Sequence, residues 1–108
     1  MKWFRLDVYV PLSHLESVKN ALLNAGAGSL GNYDSCCWVC RGKGQFRPLA
    51  GANPFAGSVQ QLEQMEEWKI ELIFPENQKT DVLKALKQSH PYETPAFQYW
   101  AVEMELPL

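Results

Sequence analysis

The stretch RGKGQFR, residues 41–47, brings Arg41, Lys43 and Arg47 within seven positions of one another, with Gln45 among them and Gly42 and Gly44 beside them. Glycine-flanked backbone N–H groups combined with guanidinium and ammonium donors make a reasonable site for an anion. The longer segment from Gly42 to Ser58, GKGQFRPLAGANPFAGS, fails the stricter phosphate templates. A Walker loop needs G-x-x-x-x-G-K-[ST] running into a helix, and a dinucleotide fingerprint needs G-x-G-x-x-G, where this chain has Arg47 in the final glycine position. Two roles remain for the segment. It contacts a ligand or partner, or it is a long connection stiffened by Pro48 and Pro54 and anchored by Phe46 and Phe55.

The other chemically capable residues are sparse. Cys37 and Cys40 form a C-x-x-C, but the surrounding CCWVCR reads as a strand, where residues three apart face opposite ways. Cys36 and Cys40 share a face yet stand roughly 13 Å apart at about 3.3 Å per residue, too far for a disulfide. Buried or edge-strand thiols are the expectation. His14 and His90 are the only histidines, too few for a two-metal centre even with Asp34 and Glu93. His90, at the end of a helix, suits the negative end of the helix dipole and is the weak candidate for a metal ligand; Glu93 faces it across a turn as a weaker candidate acid or base. No G-x-S-x-G is present, no nucleophile stands out, and no cofactor motif is found.

The elements that must position these residues follow from periodicity. WFRLDVYV alternates, with Phe4, Leu6, Val8 and Val10 on one face and Arg5 and Asp7 on the other, predicting a first strand that ends at Pro11. Ser13 and Glu16 have the spacing of a capping box, and Leu15, Val18, Leu22 and Ala25 recur at helical spacing up to Gly26, predicting a helix over residues 14–25. CCWVCR is the second strand, 42–58 the loop, and WKIELIF, residues 68–74, the third strand, ending at Pro75. NQKTDVLKALKQSH predicts a second helix that stops near His90, because the residue before a proline is driven from the helical region. PYETP is a turn, and FQYWAVEM, 97 to about 104, the last strand.

The order β-α-β-β-α-β predicts an α+β, ferredoxin-like sandwich: a four-stranded antiparallel sheet with two helices on one face, forming a single domain over residues 1–108. Its other face is open, and four tryptophans, four tyrosines and five phenylalanines suggest that a second subunit covers it. A net charge of −2 argues against nucleic acid or an anionic membrane as partner, although residues 1–54 carry six Lys/Arg against three Asp/Glu and residues 55–108 four against nine. No apolar run reaches the roughly 20 residues of a membrane span. The charged N-terminus and odd cysteine count point to the cytoplasm.

Three stretches, AGAGSLGNYDSCCW, GKGQFRPLAGANPFAG and HPYETPAF, follow one another in that order. Together they resemble the CutA/PII-like domain carried as an insert by YqfO-type members of the Nif-three (NGG-one-interacting-factor-three-like) family, and the likeness spans nearly the whole chain. It implies a ferredoxin-like fold and self-association. The metal-binding histidines and carboxylates of that family belong to flanking domains, so the resemblance implies a form without them and carries over no hydrolase or cyclohydrolase activity. The family turn usually reads H-P-Y-E-E-P-A; here Thr94 replaces the second glutamate, which speaks against any role needing paired carboxylates there.

In PII-like signalling proteins the long loop between strands two and three helps bind nucleotides and engages partner proteins, and residues 42–58 hold the corresponding place. The expectation is a non-enzymatic homo-oligomer, dimer or trimer, in which Arg41, Lys43, Gln45 and Arg47 meet a small anionic ligand or a partner protein, with Tyr92 and Glu93 lining the neighbouring turn. Two alternatives stand beside it: a purely structural oligomerisation or lid element, and a metal-dependent enzyme with sites shared between subunits.

Overall fold

The computed structural model describes residues 1–105. Strand β1 is Trp3–Val10, helix α1 Leu15–Asn24, strand β2 Trp38–Phe46, strand β3 Glu63–Pro75, helix α2 Lys79–Ser89 and strand β4 Phe97–Val102. The sheet order is β2-β3-β1-β4 with every neighbouring pair antiparallel. This is the ferredoxin-like βαββαβ arrangement that the periodicity predicts.

The alternating residues of β1 set the layers. Phe4, Leu6 and Val8 pair with Phe74, Leu72 and Ile70 of β3, so these apolar side chains fall on one face. Helices α1 and α2 bury Leu15, Val18, Leu22, Val82 and Leu86 against them in one core. Helix α1 ends in a Schellman motif: Gly26 takes φ +108, its N–H donates to Leu23 O, and the N–H of Ala27 donates to Leu22 O. A left-handed residue is needed there, and glycine adopts that conformation without steric cost.

Several boundaries differ from expectation. The capping box at Ser13 does not form, because Pro11 leads into a tight 3-10 turn, Leu12–His14, before α1 begins. Ser13 Oγ instead lies 2.8 Å from His14 Nδ1, and Glu16 pairs with Lys19. Strand β2 begins two residues later than predicted and continues through Phe46, which makes the first five residues of the expected loop part of the sheet. β3 starts at Glu63 rather than Trp68, since its polar residues 63–67 pair with 42–46 of β2. β4 stops at Val102, short of the expected 104. The actual loop is therefore residues 47–62.

The open face of the sheet is less apolar than the aromatic content suggests. An ion-pair ladder crosses its middle: Arg5 Nε to Asp7 at 3.1 Å, Arg5 Nη2 to Glu71 at 2.8 Å, and Lys69 to Glu71 at 2.7 Å. The Arg5 guanidinium lies over the Trp100 ring. Trp38 and Trp100 remain exposed around this polar centre. Such partly exposed pairs contribute little to stability, about 0–1 kcal/mol each.

The two faces predict different mutational costs. Leu6→Ala, at a fully buried position, should cost about 2–5 kcal/mol. Trp38→Ala, at a position exposed in the single chain, should stay within about 0.5 kcal/mol where the chain is monomeric and cost more where a second copy covers the open face. Urea midpoints of the two variants, read beside the mass from light scattering, check this; a loss at Trp38 equal to that at Leu6 in a monomer would contradict it.

Candidate functional site

The site begins with a mismatch in strand length. β1 pairs with β3 only from Trp68 to Pro75, so residues 63–67 of β3 have β2 alone as a neighbour. This two-stranded arm runs past the end of β1, and the loop at its tip folds back. Within the loop the N–H of Gln60 donates to Pro48 O at 2.6 Å and that of Ala52 to Leu49 O at 3.0 Å. The ring of Phe55 packs edge-on against His14 and tilted against Tyr92. The carboxylate of Glu93 accepts from the backbone N–H of Asn53, at 3.2 Å to the nearer oxygen.

The turn that receives the loop, residues 90–96, is itself pinned to the end of β1. His90 is buried, its Nε2 lies 2.7 Å from the carbonyl oxygen of Tyr9, and its Nδ1 accepts from the N–H of Tyr92 at 3.2 Å. That pattern requires the proton on Nε2, the neutral tautomer. Burial pushes the imidazole below its ordinary pKa, against smaller upward contributions from the Tyr9 carbonyl and Glu67. The expected charged end-of-helix role does not apply. Both ring nitrogens are engaged, and Glu93 reaches the loop rather than His90. Tyr9 N–H donating to Ala96 O closes the turn on its other side.

Glu67 links the arm to the turn. Its Oε2 accepts from the Tyr92 hydroxyl at 2.8 Å, while Met65 Sδ lies 3.6 Å from the same hydroxyl. The Glu67 side chain reaches there by crossing Gly44, where an added Cβ would collide with Glu67 Oε1 and come within 3.1 Å of its Cγ. Burial, then the hydrogen bond and charge of Glu67, hold the phenol well above its ordinary pKa.

Loop, arm and turn border a half-open cavity of about 430 Å³, lined by apolar side chains such as Phe46 and the partly exposed Leu49 and Phe55 and by the polar groups of Gln45, Arg47, Glu67, Tyr92 and Glu93. Four of the six residues singled out in the sequence, Gln45, Arg47, Tyr92 and Glu93, thus come together. Arg41 and Lys43 do not. They border a second hollow of about 390 Å³ above Gly42 and Gly44, with Tyr9, Cys40 and Lys69. Arg41 is exposed and pairs with Glu66 at 3.2 Å. The expected basic cluster is divided because residues 41–46 are strand rather than loop. The cavity accordingly holds one cation, Arg47, against two carboxylates.

Glu67, Asn53 and Met65 also belong to the site, and the sequence pattern does not mark them. The run 63–67 lacks apolar alternation, so nothing in it signals a strand. The available signal was Gly42 and Gly44, two apart: a strand face without side chains admits close approach from across the ladder. The cysteines hold no disulfide; Cys36 and Cys37 precede β2, and all three thiols are free. Among the described residues no helix is long and apolar enough to cross a membrane, and no group of three His, Cys, Asp or Glu is arranged to hold a metal ion.

Comparison with known proteins follows the same division between fold and function. No protein-family model matches the chain. It is 45% identical over 102 residues to a GTP cyclohydrolase 1 type 2 homolog of Halalkalibacterium halodurans, covering 94% of this chain and 27% of that protein. The Bacillus subtilis protein of the same name is 44% identical over 99 residues, 92% of this chain and 26% of its own length. Among solved structures, a Bacillus cereus protein related to NIF3 superposes with a TM-score of 0.83 at 37% identity over 95% of this chain and 26% of that one. CutA from Archaeoglobus fulgidus gives 0.64 at 18% identity, covering 98% and 87%, and the Bacillus subtilis GlnK–ATP complex gives 0.61 at 12%, covering 94% and 84%. The last two show the fold alone. The chain is therefore related to the NIF3-type proteins over one segment of theirs, has the CutA/PII-like fold, and spans about a quarter of the length of the curated relatives it matches.

Two predictions follow from the geometry. Tyr92→Phe deletes the donor to Glu67 and should lower stability by about 1 kcal/mol; an unchanged urea midpoint would show that the bond contributes nothing. For His90, the folded state disfavours the proton relative to the unfolded chain, whose imidazole titrates near 6.5. The stability His90 contributes is thus complete above pH 6.5 and declines as the pH falls toward its depressed folded value. Urea unfolding at stepped pH should show that decline for the wild type and a shallower one for His90→Asn.

Proposed function

We propose that this chain is a non-enzymatic ligand-binding module, and that its ligand sits in the cavity beneath the 47–62 loop. The observation that carries the reading is the fold-back of that loop, which joins Gln45 and Arg47 to Tyr92 and Glu93 across one largely apolar cavity. Its volume falls in the range that binds small molecules. A planar ring fits against Phe46, Phe55 and Tyr92, while an anionic tail is drawn to Arg47 and away from Glu67 and Glu93. The two carboxylates disfavour a compact polyanion held on all sides. A nucleotide combines the required parts, and GlnK, which shares the fold, was solved as a complex with ATP.

The same reading includes self-association through the open sheet face, where Trp38 and Trp100 stand exposed beside the Arg5–Asp7–Glu71–Lys69 ladder. A copy on that face would remove those rings from water without disturbing the cavity loop. Light scattering on the purified chain should give the mass of a dimer or trimer; a monomer mass would remove this part of the reading and leave the cavity untouched.

Thermal shift with ATP, ADP, GTP and GMP tests the ligand. A nucleotide present at 100 times its dissociation constant should stabilise the fold by about 2.7 kcal/mol. Arg47→Ala should abolish most of that shift while leaving the unliganded melting temperature within a degree or two, because Arg47 makes no ion pair among the described residues. No shift with any nucleotide would overturn the reading.

A further inference from the structure

Strand β2 carries a knob and a hole on one face. Trp38, Cys40, Gly42 and Gly44 alternate along it and pair with Glu71, Lys69, Glu67 and Met65 of β3. Glu71 pairs in turn with Asp7, which alternates with the core residues Leu6 and Val8 of β1, so this is the open face of the sheet. At one end of it Trp38 stands 67% exposed. At the other, two residues without side chains floor the hollow of about 390 Å³ that Tyr9, Cys40, Glu67 and Lys69 also border. A cavity of about 150 Å³ takes a benzene ring, so an indole has room there.

The polar atoms of knob and hole match as well. Glu67 Oε1 lies over Gly44, in the space a Cβ would fill. Tyr92 holds Oε2, while Oε1 has no hydrogen-bond partner among the described residues. The indole N–H of Trp38 donates to nothing among the described residues, unlike that of Trp68, which reaches Glu66 at 3.0 Å. Trp38 does not reach its own hollow: Gly42 is four residues along the strand and Gly44 six, roughly 13 and 20 Å at about 3.3 Å per residue. Trp100, on the same face beside Arg5, already carries that guanidinium over its ring. Gly42 adds an independent sign. It has no positive φ, and a Cβ on it would meet only the Glu67 carbonyl oxygen, at an ordinary 3.9 Å. Nothing in a single copy requires glycine at 42, and glycine inside a strand marks close approach by another group.

We infer that Trp38 of one copy of this chain seats in the Gly42–Gly44 hollow of another, its indole N–H donating to Glu67 Oε1. The inference rests on self-association through the open sheet face, as proposed above, and names the contact that makes it. Each copy carries one knob and one hollow, so the contact closes as a reciprocal pair or as a ring. The indole leaves water, and the carboxylate oxygen it covers exchanges water for a donor instead of being left unpaired. A tryptophan centred in such a pocket carries a large share of an interface's binding energy.

The test is the association constant of the purified chain, from light scattering over a concentration series, for the wild type and three variants. Trp38→Ala should weaken association about 30-fold or more. Trp38→Phe keeps a ring but loses the N–H, and should weaken it about tenfold. Gly42→Val fills the hollow with a residue suited to a strand; it should be monomeric and unfold in urea no earlier than Trp38→Ala, which shows that the fold is intact. Undiminished association of Trp38→Ala overturns the inference, whether or not Gly42→Val associates, and leaves self-association to another part of the face. A wild-type chain that is monomeric at every concentration overturns the self-association reading, and this inference with it.

Discussion

Everything distinctive about this molecule depends on β3 being longer than the strand beside it. β3 has 13 residues and β1 has eight, so the β2–β3 ladder outruns the four-stranded sheet and projects as an arm. The longest dimension of the molecule, 53 Å against 24 and 22 Å for the other two, reflects that projection. A two-stranded ribbon has too little to bury by itself and is marginal in water. The loop at its tip returns along the arm to the end of the sheet, where Pro48 is buried while Leu49 and Phe55 stay largely exposed, and the space left beneath it is the cavity.

The return is held by few contacts of modest strength. Phe55 lies against His14 and Tyr92, Glu93 accepts one backbone N–H, and Tyr92 donates to Glu67. Beneath these, His90 ties the receiving turn to Tyr9. The gradient is from a dry core of Leu6, Ile70, Phe74 and Val82, through the buried imidazole, to a loop whose hydrogen bonds face solvent. Regions at the weak end of such a gradient open without global unfolding, which is where binding loops are found. Gly44 and Glu67 belong to the arm, between the rigid and the yielding parts.

The sequence shows the layers of this fold far better than the site. Alternation in WFRLDVYV and WKIELIF, and helical spacing from Leu15 to Leu22, place β1, the core half of β3 and α1 because each buries one face against a shared core. The arm carries no such signal for the same physical reason: residues 63–67 bury no continuous face, so EQMEE has no period for a strand to show. Glycines that suggest a loop by composition turned out to be the floor of a ladder crossed by Glu67. Ser13 and Glu16 have capping-box spacing, yet Pro11 and a 3-10 turn start the helix otherwise. Of the site residues, Tyr92 and Glu93 were visible through the HPYETP turn, Gln45 and Arg47 through the loop; their convergence, and the separation of Arg41 and Lys43, depend on the fold-back.

The chain is homologous to one segment of NIF3-type proteins and has the CutA/PII-like fold, and the proposed binding takes place under the loop. Amide chemical shifts of the 15N-labelled chain during titration with ATP and GTP report this residue by residue. The account predicts saturable shifts at Gln45, Arg47, Asn53, Tyr92 and Glu93, with the amides of Leu6, Ile70 and Val82 unmoved. Shifts confined to the open sheet face, around Arg5, Trp38 and Lys69, would place the ligand elsewhere and contradict it.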